Sequence, residues 1–280
     1  MECDVLFLGF GPITCALAKR LAASGSRVIV ISESSTVRSF HSEFSKDSFQ
    51  IMNWSDALNE QIYSHSTYIG WQQTPQNRSL GPKIIQWVKS NALRTEKIHH
   101  LSSASVYAGE KDLFLESDYN FRKSEDNLNL KRELEGLILE ISHEKQTKFV
   151  NYRISNVYGA GLIQGFINES IINLKNNQPI KIYGKLDLVR DYLVIDDLII
   201  ALFELRVNES LDESLNISTG YGVAISEIVD CLKALYNDQI RLIEVEPPKE
   251  LQQRSVLSCQ KLEETIFWKP KRLGESLEIL

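Results

Sequence analysis

A short apolar run, Val5-Leu6-Phe7-Leu8, leads straight into Gly9-Phe10-Gly11-Pro12, and this junction constrains the fold more than any other stretch of the chain. Ile13, Ala16, Leu17 and Leu21 then recur at helical spacing, Gly25 ends the helix, and Arg27-Val28-Ile29-Val30-Ile31 reads as a second buried strand. Strand, glycine turn, helix and strand within about 30 residues form a βαβ unit, whose strands must run parallel. The expected class is therefore α/β, a doubly wound parallel sheet with helices on both faces. Residues 98–103 and 148–154 read as later strands of that sheet. Between them Leu128, Leu134, Leu137, Ile138 and Ile141 make the apolar stripe of a helix whose other faces are charged.

After Gly159-Ala160-Gly161 the elements shorten. Residues 166–174, 195–205 and 225–236 read as helices, the last with Ser226 as its N-cap, and residues 180–183 read as a strand ending at Gly184. No low-complexity linker or internal repeat divides the chain. The expected organisation is a nucleotide-binding lobe over residues 1–160, to which later strands return, and a smaller lobe over residues 161–280 that is mainly substrate-binding.

Composition closes off several classes. The 280 residues carry 31 basic and 37 acidic side chains, a net charge of −6, with 43% hydrophobic residues. Basic residues are not clustered as a phosphate-contacting nucleic-acid binder requires, so no nucleic-acid partner is expected. The greasiest segment, residues 193–205, is interrupted by Asp196, Asp197 and Glu204, and the N-terminal stretch lacks a targeting pattern. No membrane partner and a cytoplasmic location are expected. Cys3, Cys15, Cys231 and Cys259 are scattered with no His cluster nearby, which speaks for reduced thiols and against a metal site.

Gly9-x-Gly11-x-x-Thr14 sits after a strand and opens a helix, where a dinucleotide fingerprint belongs in a Rossmann-like sheet. The glycines permit a tight turn and let main-chain N–H groups approach a pyrophosphate, which a helix N-terminus favours electrostatically. Thr14 stands where the fingerprint has its third glycine. On this segment alone, a tight turn with no ligand remains an open alternative.

Further segments shift that balance. Ser102-Ser103-Ala104-Ser105-Val106-Tyr107, Lys131 followed by Glu135, Arg153-Ile154-Ser155-Asn156-Val157-Tyr158-Gly159, residues 189–197 (VRDYLVIDD) and Phe267-Trp268-Lys269-Pro270 stand in the order and at the spacings of one family. The chain resembles the extended short-chain dehydrogenases/reductases, the NAD-dependent epimerases and dehydratases of nucleotide sugars. The resemblance implies NAD(P) in the first lobe and a nucleotide-diphosphate sugar against the second. It also implies a Tyr, with a Lys four residues later, that deprotonates a sugar hydroxyl while a Ser or Thr hydrogen-bonds the same oxygen. Free tyrosine titrates at about 10, and a neighbouring ammonium lowers that value toward working pH.

Mapped onto this chain, the resemblance assigns the serine position to Ser103 and the lysine position to Lys131, with Glu135 at the acidic position of the same helix. The tyrosine position falls on Asn127, whose amide cannot act as a general base. Tyr119 and Lys123 share the four-residue spacing, but Tyr119 follows Ser103 by 16 residues against 24 for Asn127, and its segment lacks an apolar stripe. Tyr119 is retained only as a phenol reaching in from a loop. Cofactor contacts are expected from Gly9, Phe10, Gly11 and Ile13, with Ser32 and Glu33 at the ribose. A carboxylate there and no Arg or Lys before Arg38 favour NAD over NADP. Asn156 and Arg190 match positions that contact the nucleotide diphosphate in relatives, and Arg254 lies where a phosphate-binding Arg is common. The alternative for Arg190 is a salt bridge to Asp191 or Asp196.

Three readings stay open at this level. The first is an NAD(P)-dependent enzyme on a nucleotide-activated sugar with altered catalytic machinery, acting as epimerase, dehydratase or reductase. The second is a catalytically degenerate regulatory or partner protein that binds the dinucleotide or the nucleotide sugar. The third is a scaffold that binds neither. A homodimer is expected from the resemblance, although the apolar stripe of residues 128–138 is also wanted by the sheet.

Overall fold

The computed structural model describes residues 1–32, 49–70, 80–119, 129–211, 213–236, 240–247 and 251–277. Its first elements are β1 (Glu2–Leu8), α1 (Pro12–Ala23), β2 (Val28–Ile31), β3 (Gln50–Met52), α2 (Trp54–Asn59), β4 (Tyr63–Ile69), α3 (Leu80–Asn91), β5 (Thr95–Ser103), α4 (Asn129–Lys145) and β6 (Lys148–Ile154). These are followed by β7 (Asn156–Tyr158), α5 (Phe166–Lys175), β8 (Ile180–Tyr183), β9 (Val189–Arg190), β10 (Tyr192–Val194), α6 (Ile195–Leu205) and β11 (Ser214–Ile217). The last are β12 (Val223–Ala224), α7 (Ile225–Leu235), β13 (Leu242–Val245), β14 (Arg254–Ser255), α8 (Gln260–Thr265) and α9 (Leu273–Leu277).

The chain divides into two compact units that interleave. The first holds Met1–Ser102, Phe121–Arg153 and Leu202–Leu215, and the second holds Ser103–Asn120, Ile154–Ala201 and Asn216–Leu280. A single boundary near residue 160 therefore does not describe the partition. The chain leaves the first unit after Ser102 and after Arg153 and returns each time, because sheet strands and second-unit segments alternate along it.

The sheet runs β11-β6-β5-β4-β1-β2-β3, and β1 pairs in parallel with both β2 and β4. Read from β3, its first six strands follow the doubly wound order, with the reversal between β1 and β4. Crevices open beyond the C-terminal strand ends at such a reversal, which is where Gly9 follows β1. Val5 to Leu8 and all of β2 are buried, as covering of both sheet faces demands. One face packs Leu6, Leu8, Ile29 and Ile31 against Trp54, Ile84, Trp87, Leu134, Ile138 and Ile141. Most of the apolar stripe of α4 is thus spent inside the unit, and Leu128 lies outside the described residues.

β4 is not among the strands expected from the sequence, yet it is central. Its polar residues are satisfied internally: the Ser64 and Thr67 hydroxyls lie 2.9 Å apart and reach the Thr95 hydroxyl at 3.1 and 3.0 Å. A strand whose buried hydroxyls pair with one another carries no apolar alternation to detect.

The second unit is built of short ladders: β7 with β10 in parallel, β9 between antiparallel β12 and parallel β14, and β8 with β13 in parallel. Its core gathers Tyr158, Ile167, Ile171, Ile180, Val194, Ile228 and Leu232. Ser226 is not the N-cap of α7. Ala224 holds that position, and its N–H donates to the Glu227 carboxylate at 2.9 Å, so an acid inside the first turn does the capping. No helix among the described residues is long and apolar enough to cross a membrane.

Candidate functional site

The glycine turn is assembled at the sheet's reversal. Gly9 N–H donates to Ile31 O at 3.0 Å and Gly70 N–H to Leu8 O at 3.1 Å, which ties the ends of β1, β2 and β4 together. Gly9 has φ +92°, and a Cβ there would stand 2.4 Å from the Gly70 carbonyl oxygen, so the position admits only glycine. Gly11 is different. Its backbone is extended, it precedes the first turn of α1, and a Cβ there would meet nothing within 4 Å.

The α1 N-terminus carries no acid in its first turn. Cβ-sized free space over Gly11, a positive helix end and a first turn without an acid fit the pyrophosphate of a dinucleotide. Ser32 continues β2, buried, with its N–H on Met52 O at 3.0 Å. Gly9, Phe10, Gly11, Ile13 and Ser32 are therefore brought together at one edge of the sheet. Glu33 lies outside the described residues.

Thr14 explains itself structurally. Its Oγ1 accepts from Gly11 N–H at 2.7 Å and donates to Gly11 O at 3.0 Å. Its methyl occupies the space beside Gly70, where an added Cβ would stand 2.1 Å from it. The third glycine's place is taken by a side chain because the residue opposite is itself glycine.

Lys131 is half-buried on α4, one turn before Glu135. Burial pushes its ammonium below the ordinary lysine value, and the Glu135 carboxylate draws it partly back. Glu135 is itself 2% exposed and accepts from Arg153 Nη2 at 3.0 Å and from the Ser102 hydroxyl. Nearby, His100 Nδ1 lies 2.8 Å from Asn151 Oδ1, and burial pushes its imidazole below the ordinary histidine value. Asn127, the residue at the expected base position, lies outside the described residues.

Ser103 belongs to the second unit and N-caps the 3₁₀ turn Ala104–Val106, its Oγ accepting from Ser105 N–H at 3.2 Å. Tyr119 packs against the cluster of Ala104, Val106, Tyr107, Phe114 and Leu257 that this turn begins. Tyr107 anchors that cluster, donating to Asn216 Oδ1 at 2.6 Å.

Asn156, Arg190 and Arg254 are brought together on neighbouring short strands. Asn156 Nδ2 donates to Asp191 O at 3.0 Å, Arg254 pairs in register with Val189, and Arg254 Nε donates to Asp112 O at 2.7 Å. Arg190 makes neither of the salt bridges that were the alternative reading. Its guanidinium donates to the carbonyls of Val189 at 2.7 Å, Gln252 at 2.6 Å and Gln253 at 3.3 Å. Sequence reasoning quoted Asp191 but gave it no role. It is fully buried, accepts from Thr219 N–H at 3.1 Å, Thr219 Oγ1 at 2.8 Å and Gly220 N–H at 3.1 Å, and burial pushes its carboxyl up to about 6. An acid between an arginine and two buried strand residues was the available signal.

Residues 71–218 match the model of the NAD dependent epimerase/dehydratase family. A dTDP-4-dehydro-6-deoxyglucose reductase of Escherichia coli is 26% identical over 180 residues, which span 62% of this chain and 57% of that relative. The match thus spans little more than half the length of that curated relative. Among solved structures, a UDP-glucose 4-epimerase of Thermus thermophilus in complex with NAD is similar with a TM-score of 0.82 at 19% identity, over 99% of this chain and 96% of that one. An epimerase of Methanothermobacter thermautotrophicus gives 0.82 at 17%, over 99% and 90%. MoeE5 in complex with UDP-glucose and NAD gives 0.79 at 19%, over 98% and 96%. At these identities the likeness is one of fold.

Proposed function

The chain belongs to the NAD dependent epimerase/dehydratase family, and from that premise we propose that it is an NAD(P)-dependent enzyme acting on a nucleotide-activated sugar, as epimerase, dehydratase or reductase, with an altered catalytic site. The observation that carries this reading is the turn over residues 9–13: it lies at the reversal of strand order, opens a helix without a first-turn acid and leaves free space over Gly11. A bound nicotinamide would supply hydride transfer, which no side chain of the chain provides.

In this reading the turn of Gly9, Phe10, Gly11 and Ile13 lies under the pyrophosphate, and Ser32 and Glu33 receive the adenosine ribose. NAD is favoured over NADP because a carboxylate repels a 2′-phosphate. Arg190, Arg254 and Asn156 receive the nucleotide diphosphate, for which their donors beyond those already used on carbonyls are available. Ser103 hydrogen-bonds the reacting hydroxyl. Asn127 orients that hydroxyl without taking its proton. The proton acceptor is then Lys131, whose partial burial makes its ammonium easier to deprotonate, with Tyr119 as the alternative phenol. The chain works in the cytoplasm, as a homodimer, on a small-molecule substrate rather than a nucleic acid or membrane.

A second reading is supported by Asn127: a regulatory or partner protein that binds the same ligands without turnover, since the usual general base contributes about 10²–10⁴-fold. Mass spectrometry of ligands released from the purified protein, with calorimetry using NAD and NADP, tests both. NAD(H) with a nucleotide sugar supports the proposal, tighter NADP binding removes the preference, and absence of both ligands overturns it. Asn127→Tyr then separates the two readings. A rise in slow NADH formation with a nucleotide sugar identifies a crippled enzyme, whereas an inert variant that still binds both ligands identifies a binding protein.

A further inference from the structure

A helix presents four main-chain N–H groups that its own ladder does not use, and these make its N-terminus an anion site. In α1 two of them are withdrawn. Residue 12 is proline at the first helical position and has no N–H to give. Gly11 N–H is committed at 2.7 Å to Thr14 Oγ1. Ile13 and Thr14 are left to serve an anion over this turn. Thr14 also fills the space beside Gly70 with its methyl, and proline at the first helical position stabilises the helix rather than the site.

We infer that this chain holds its dinucleotide as an exchanging ligand rather than as a permanently retained one, because Pro12 and Thr14 remove two of the donors that would grip the pyrophosphate. The inference rests on the dinucleotide reading above and deepens it. A weakly gripped site suits a net oxidation or reduction, in which it must empty and refill between turnovers, over a redox-neutral isomerisation, in which retention costs nothing. The same two residues stabilise the start of α1, one through a preset φ and one through a reciprocal cap, so helix stability is gained where binding is given up.

The experiment compares the wild-type chain with Pro12→Ala, which restores an N–H, and Thr14→Val, which keeps the shape and frees the Gly11 amide. Titration calorimetry with NAD and with NADH gives the affinities. The absorbance ratio and mass spectrum after gel filtration give the dinucleotide retained. Circular dichroism melting confirms that each variant is folded. The expected result is a wild-type protein that emerges without stoichiometric dinucleotide. Pro12→Ala should bind about tenfold more tightly, the worth of one charge-assisted hydrogen bond, and Thr14→Val should gain affinity while melting lower. Wild-type protein that keeps stoichiometric dinucleotide through gel filtration overturns the inference and leaves the dinucleotide reading standing. So does a folded Pro12→Ala that binds no better than wild type, with Thr14→Val agreeing. Absence of binding to all three proteins overturns the dinucleotide reading itself and this inference with it.

Discussion

Each unit buries a carboxylate, and the two are neutralised by opposite means. Glu135 in the first unit faces a guanidinium, with Arg153 Nη2 at 3.0 Å and both groups almost fully buried. Asp191 in the second is satisfied by neutral donors, two main-chain N–H groups and the Thr219 hydroxyl. A cation is its chain neighbour, yet Arg190 turns to the carbonyls of Val189, Gln252 and Gln253 instead. A full opposite charge compensates the loss of hydration of a buried anion more completely than dipoles do, and the carboxyl held by dipoles alone is pushed up to about 6. The first arrangement is strong and brittle. The second is milder and responds to pH.

The largest expected effect comes from breaking the charged pair. Glu135→Gln takes the carboxylate partner away from the buried Arg153 guanidinium, a loss of about 3–5 kcal/mol by denaturant unfolding. Replacing both partners with apolar residues, Glu135→Leu with Arg153→Met, recovers most of it, since no charge is then stranded. A single substitution that costs under about 1 kcal/mol would show that the pair is not what holds β5, β6 and α4 together.

Asp191→Asn is expected to cost less, about 1–3 kcal/mol at pH 7, because the amide can no longer accept from both Thr219 and Gly220. The pH dependence sharpens the contrast. The folded carboxyl titrates at about 6 against an ordinary 3.8, so the folded state binds its proton first. Between those values stability from this group rises as pH falls, and is lost as pH rises through 6. The asparagine variant has no such slope, so its deficit should be larger at pH 5 than at pH 7. A deficit that does not change with pH would mean that Asp191 is not titrating there.

His99 in the first unit supplies the opposite sign. Its ring stacks on Tyr68 with centroids 4.3 Å apart, Nδ1 meets Tyr152 Oη at 3.0 Å, and burial pulls its pKa down to about 3 from 6.5. The unfolded state binds the proton first, so stability is lost as pH falls from 6.5 toward 3. His99→Gln should cost about 1 kcal/mol at pH 7 through lost stacking, with the gap to wild type closing below pH 6 in thermal melts. A gap that widens instead would overturn the assignment of a buried neutral imidazole.

The smallest effect on folding is expected at Gly11. Its extended backbone and free surroundings accept a Cβ, so Gly11→Ala should leave unfolding within about 0.5 kcal/mol of wild type. The same methyl would enter the space proposed above for the pyrophosphate, and calorimetry should show dinucleotide affinity lost. An unchanged affinity would move the cofactor away from this turn. Set beside Glu135 and Asp191, this variant separates residues that hold a unit together from one proposed to receive a ligand.

The parallel sheet, the glycine turn and the helix that follows it were legible in the chain because burial on both faces writes a continuous apolar run, and a turn tight against Gly70 admits little but glycine. Helix α6 was legible to the residue for the same reason, an apolar stripe bounded by a charged surface. β4 was not legible, because Ser64, Thr67 and Thr95 satisfy one another's hydroxyls across two strands and leave polar residues in a buried position. Nor was the choice of N-cap for α7, where Glu227 reaches back to Ala224 from inside the helix.

By itself the sequence determined the fold class and the position of the glycine turn, since both follow from local spacing of apolar residues and glycines. It also determined that Asn127 cannot serve as a base, which is a matter of functional-group chemistry alone. Only the tertiary structure decided what the polar residues do. Glu135, named as an acidic position on its helix, is Arg153's partner, and Arg190, whose expected phosphate role stays a proposal, holds three carbonyls of neighbouring segments. The interleaving of the two units was likewise a tertiary outcome, because which strand returns to which sheet depends on pairings between residues far apart in the chain. A side chain's hydrogen-bonding capacity is written in its identity, but its partner is chosen by distance, and distance is set only when the chain has folded.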